Sequence, residues 1–77
     1  DQPRSFWMKN TLVSLDIIYI NSNNEVVSIQ SNAEPLSTKS LPSAAPASYV
    51  LEVLGGQAAA KGITVGTKIF WSKAAVE

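Results

Sequence analysis

Seventy-seven residues allow one small domain, and six basic against six acidic side chains leave no net charge. The absence of cysteine and histidine excludes disulfides, thiolate and imidazole metal sites and histidine-based triads. The charges are scattered, so no basic face marks a nucleic-acid or anionic-membrane partner, and no apolar run approaches the roughly 20 residues that span a bilayer.

The chain opens on a lead-in, residues 1–4, in which Pro3 has no amide donor and biases Gln2 toward extended backbone. Residues 5–8 read as a short strand with Phe6 and Met8 on one face and Trp7 on the other. Trp7 is expected as a core anchor, because aromatic rings dominate small cores by their buried area. The alternative is a ring lining a shallow pocket. A loop or irregular crossing, residues 9–14, leads into Leu15, Asp16, Ile17, Ile18, Tyr19 and Ile20, a run rich in β-branched side chains. As a strand it places Leu15, Ile17 and Tyr19 on one face and Asp16, Ile18 and Ile20 on the other. Both faces carry large apolar groups, so the strand is expected to be covered on both sides or closed into a barrel. The Asn-rich run 21–24 then signals a hairpin, since asparagine tolerates positive φ. Its return strand, residues 25–30, puts Val27 and Ile29 on one face and Val26 on the other.

Residues 31–47 hold Pro35, Pro42 and Pro46 among serines and read as an ordered, exposed wrap pinned by Leu36 and Leu41. Alternation returns in strand 48–54 and stops at Gly55 and Gly56. Residues 57–61 form a short helix of alanines, closed by a Gly62 cap with Ile63 as its hydrophobic contact. A turn at 65–67 and a last strand at 68–71 follow, and residues 73–77 fray. The fold class is therefore mainly β (α+β): a small antiparallel, barrel-like sheet with one short helix and a long Pro/Ser-rich loop, in a single domain.

Asp16 is the most telling ionisable residue, since a carboxylate inside an apolar strand needs a partner. Lys9, Arg4 or the Asn10 amide could supply it. The favoured role is structural, bonding loop amides, and the other is ligand binding or acid/base work. Glu34 is a second carboxylate, and a pair converging in a cleft would suit glycoside cleavage or a hard cation. Ser43 lacks both a nucleophile-elbow pattern and a histidine base. The glycines at 55 and 56 only faintly suggest a phosphate-binding turn, and strand termination accounts for them.

Taken in order, Phe6-Trp7-Met8-Lys9-Asn10-Thr11, Leu15-Asp16-Ile17-Ile18, Asn32-Ala33-Glu34-Pro35-Leu36, Pro46-Ala47-Ser48-Tyr49-Val50-Leu51-Glu52-Val53 and Gly62-Ile63-Thr64-Val65-Gly66 closely resemble the bacterial and archaeal family called domain of unknown function 192. The resemblance covers about residues 4–70. It implies a small β-rich, barrel-like domain, often following a signal peptide or lipoprotein segment, with no assigned activity. Ser14 stands where a proline is expected, Ala45 where glycine is common, and Thr67 where an aspartate often follows the turn glycine. Members usually carry a further upstream strand, and the chain here begins at Asp1. Either an upstream segment was removed or this is part of a longer chain, and an open sheet edge would then invite a homodimer.

The leading expectation is a non-enzymatic, extracytoplasmic module that binds a small ligand or a protein through Trp7, Lys9, Asn10, Asp16 and Glu34. No catalytic residue, metal or cofactor is assigned. The runner-up is a hydrolase of polysaccharide or envelope material acting through Asp16 and Glu34, and a third reading is a purely structural module.

Overall fold

Residues 2–69 are described by a computed structural model, and they run β1 (Ser5–Phe6), β2 (Leu15–Ile20), β3 (Val26–Ala33), β4 (Leu41–Pro42), β5 (Tyr49–Leu54) and α1 (Gln57–Ala60). β2 is the centre of a three-stranded antiparallel sheet in the order β3-β2-β5. Its alternation sorts the core into two halves. Ile17 and Tyr19 pack with Met8, Ala33 and Ala47 on one face, while Ile18 and Ile20 pack with Val26 and Ala58 on the other. The expected two-sided burial of this strand is what the structure shows, and each fully buried isoleucine contributes about 1.5–3 kcal/mol through the water it sheds.

The hairpin joining β2 to β3 is built by Asn21. Its side-chain oxygen accepts from the amides of Asn23 and Glu25, and its carbonyl accepts from Asn24, which sits at φ 62°. A turn followed by one left-handed residue is a common three-residue hairpin loop. β3 is longer than the sequence suggests and carries two register shifts, one between Tyr19 and Ile20 and one between Leu15 and Ile17. At the first, Val27 is the extra residue, which puts it in the Tyr19 cluster while Val26 and Ile29 join the opposite one. This corrects the expectation that Val27 and Ile29 share a face: plain alternation cannot foresee a bulge.

The second sheet pairs β1 with β4, so part of the proline-rich wrap becomes a two-residue edge strand. The described strands thus form two open sheets and not a closed barrel. Leu41 packs on the Tyr19 cluster as expected. Leu36 does not: it is exposed, at φ 61°, and holds the wrap through its backbone, its amide donating to the Thr11 carbonyl. Trp7 also departs from the expected core anchor. The residue is 54% exposed, and the neighbouring Met8 is the fully buried one instead.

Beyond β5, α1 ends as anticipated. Gly62 at φ 70° donates to the Ala59 carbonyl and Ile63 to that of Ala58, and Ala58 and Ile63 meet in the Ile18 cluster. The turn that follows has Gly66 at φ 93°, with the Thr67 hydroxyl accepting from the Thr64 amide. Threonine thereby caps the turn at the position where an aspartate often stands in the family it resembles. Of the anticipated last strand, Lys68 bridges Glu25, and residues 70 and 71 lie outside the described residues, as do 73–77. Gly55 is the tightest point of the fold: a Cβ there would sit 2.7 Å from the Ser14 hydroxyl and 2.8 Å from Asn32 Oδ1. Gly55→Ala is therefore expected to lower stability by about 1–3 kcal/mol in urea denaturation, and an unchanged midpoint would show that this junction yields freely.

Candidate functional site

The polar residues anticipated around one site separate into two places. Asp16 is in the interior, 1% exposed, on the Ile18 face of β2. One carboxylate oxygen accepts from the amide of Asn32 at 2.8 Å and the other from that of Ala58 at 2.9 Å. Asn32 is in a left-handed conformation, φ 50°, at the second bulge of β3, and that kink turns its amide out of the ladder. Ala58 lies in the first turn of α1, which has neither a side-chain cap nor an acidic residue of its own. Asp16 therefore supplies from another strand the acceptor that a local cap would provide. Burial alone would push its pKa up, but the amides of Asn32, Ala58 and Gly56 win and hold the carboxyl below its ordinary value. The Gly56 amide that acts on Asp16 belongs to the turn that ends β5.

At the rim, Ser5, Phe6, Trp7, Lys9, Asn10 and Thr11 line an open depression of about 650 Å³, closed on its other sides by Ser40 and by Glu52 of β5. β1 and its pairing with β4 hold Ser5 and Phe6 there. Burial of Met8 and its amide bond to the Ser37 carbonyl fix the run just beyond Trp7. The Lys9 ammonium lies 5.3 Å from the centre of the Trp7 ring, a cation–π distance. The depression thus joins two exposed aromatic rings, one cation, one carboxylate, an amide and hydroxyls. In the core, the Tyr19 hydroxyl donates to the Leu41 carbonyl, and burial, with the Glu52 charge adding to it, pushes the phenol above its ordinary pKa.

Of the five residues expected to bind a ligand, the structure brings Trp7, Lys9 and Asn10 together and leaves two elsewhere. Asp16 is withdrawn into the fold because its oxygens are needed by backbone amides. Glu34 is exposed on the wrap and does not line the depression. Ser43 is also committed: its hydroxyl donates to the Ala45 carbonyl and accepts from the Arg4 amide. Among the described residues no cluster of three metal-ligating side chains occurs, and no helix is long and apolar enough to cross a membrane. Sequence reasoning missed Glu52. Its signal was its place as the one charge in the alternating run Tyr49-Val50-Leu51-Glu52-Val53-Leu54.

A carboxyl held below its ordinary value of 3.8 stabilises the fold above that pH and loses its contribution as pH falls through its folded value. Stability should therefore decline on acidification below about pH 4, and Asp16→Asn should flatten that decline. At pH 7 the same variant should cost about 2–3 kcal/mol, since an amide presents only one acceptor to two donors. Chemical denaturation at pH 7 and pH 3 reads both effects, and equal losses at the two pH values would contradict the role assigned to the charge.

The comparisons agree with this architecture. The profile of DUF192, described as Uncharacterized ACR, matches residues 1–71. A crystal structure of a protein of unknown function from Novosphingobium aromaticivorans DSM 12444 is 43% identical, with a TM-score of 0.86 over 91% of this chain and 50% of that one. Another, from Sinorhizobium meliloti 1021 and provisionally described as a transcription regulator, is 36% identical, with a TM-score of 0.83 over 87% of this chain and 52% of that one. The chain thus spans about half the length of these two solved proteins, and no curated protein matches it. With a family profile covering nearly all of the sequence and the same fold in these relatives, the chain belongs to the DUF192 family.

Proposed function

We propose that this chain is a non-enzymatic binding module whose recognition surface is the depression lined by Trp7, Lys9, Asn10 and Glu52. The observation that carries the reading is the exposure of Trp7 beside a core in which Met8, Ile17 and Tyr19 are fully buried. Large aromatic surface left in water on so small a chain, beside a cation and hydrogen-bonding groups, is what a recognition site offers. The hydrolase alternative needs Asp16 and Glu34 in one cleft, and Asp16 is engaged by backbone amides inside the fold. The proposed location, outside the cytoplasm, rests on the family resemblance.

The test is a nuclear magnetic resonance screen of the 77-residue chain against short peptides, oligosaccharides and nucleotides. Binders are expected to shift the Trp7 indole and the Asn10 side-chain amide. Trp7→Ala should weaken them by roughly tenfold or more while changing stability by less than about 1 kcal/mol, because the ring is exposed. Binders that map elsewhere, or that keep their affinity in Trp7→Ala, would remove the depression as the site.

A further inference from the structure

The rim of the depression is held from two directions. On one side the run from Met8 to Thr11 is tied at both ends to the wrap, the Met8 amide donating to the Ser37 carbonyl and the Leu36 amide to that of Thr11, while the Thr11 amide donates back to the Met8 carbonyl. On the other, Phe6 pairs with Leu41, whose carbonyl accepts from the buried Tyr19 hydroxyl, and the Ser5 and Ser40 hydroxyls share a hydrogen bond. A rim fixed in this way loses little freedom when a ligand arrives. Its charges cancel, since Lys9 and Glu52 are the two ionised groups that line it. What the rim offers in surplus is aromatic surface, on Phe6 and Trp7, and hydrogen-bonding groups that both donate and accept.

Resting on the binding reading above, we infer that the ligand is an uncharged saccharide, one sugar ring lying on the exposed aromatic surface and its hydroxyls bonded to the polar groups around it. A pyranose has an apolar face of C–H groups and an edge of hydroxyls. The C–H groups carry slight positive charge and suit the negative face of an indole. The hydroxyl edge meets Asn10, whose amide donates and accepts, the Thr11 and Ser40 hydroxyls, which do the same, and the Glu52 carboxylate, which accepts at two oxygens. Charged ligands fit less well. A phosphate drawn to Lys9 would also meet Glu52, and a basic peptide drawn to Glu52 would also meet Lys9. A zwitterion would satisfy both charges, but at an open, hydrated rim an ion pair contributes little, and the rings and hydroxyls would go unused. The Lys9 ammonium already lies over the Trp7 ring, so a second cation would compete with it for the indole.

The experiment titrates the chain with cellotetraose, maltotetraose and N,N′-diacetylchitobiose, and with alanyl-alanine and adenosine monophosphate as charged comparators, following amide and indole signals by nuclear magnetic resonance. At least one saccharide is expected to shift the Trp7 indole and the Asn10 side-chain amide. Its affinity should stay within about twofold between roughly 20 and 500 mM sodium chloride, because it forms no ion pair for salt to screen. Asn10→Ala, at an exposed position, should weaken that saccharide by roughly tenfold and leave distant amide signals where they were. A rim that takes the dipeptide or the nucleotide and none of the saccharides would overturn the inference and leave the binding reading standing. So would saccharide affinity at the rim that falls steeply with salt or is unchanged in Asn10→Ala. No shift at the rim with any probe of any class would overturn both.

Discussion

The constraint on which the rest depends is a single buried carboxylate. Asp16 sits in the middle strand with its oxygens taken by amides from the bulge of β3 and the first turn of α1. Three pieces of chain far apart in sequence are thereby fixed to one another. Desolvating a charge is costly, and here directed backbone donors offset that cost. The same bonds settle groups that would otherwise be orphaned, an amide turned out of a ladder and an uncapped helix start. Among the described residues no buried side-chain nitrogen or oxygen is left without a partner.

This arrangement explains why the anticipated site divides. A carboxylate that holds the fold together is not free for a ligand, so the polar groups of the Lys9 to Thr11 run stay at the surface while Asp16 goes inside. Tight packing behind Asp16, where Gly55 leaves no room for a side chain against Ser14 and Asn32, keeps β5 in place. β5 in turn presents Glu52 to the depression from the far side. The core's internal bonds thus shape the rim without taking part in it.

Much of the fold was legible because local chemistry decides it. β-branched residues on both faces marked β2, the asparagines marked the hairpin, and Gly62 with Ile63 marked the end of α1. The resemblance whose motifs open with the Phe6 to Thr11 run identified the family. What escaped depends on contacts between distant segments. The bulge that moves Val27 to the other face is set by pairing with Tyr19 and Ile20, and no residue within β3 announces it. Trp7 and Leu36 look like anchors by composition, yet Met8 and Leu41 take the interior places beside Tyr19. Glu52 reads as a solvated charge until the β1 run is seen to lie across from it. The structural role of Asp16 was the favoured reading of a lone acid in an apolar strand, although its partners turned out to be amides of Asn32 and Ala58 and not the nearby cations.

The central claim is that one ionised side chain joins the middle strand, the bulge and the helix. It is read most directly from the amide proton shifts of Asn32 and Ala58 during an acid titration of the intact chain. The account predicts that both amides lie downfield at neutral pH and move together, with one midpoint below the ordinary carboxylate value of 3.8. Separate midpoints, or a common midpoint at or above that value, would contradict it.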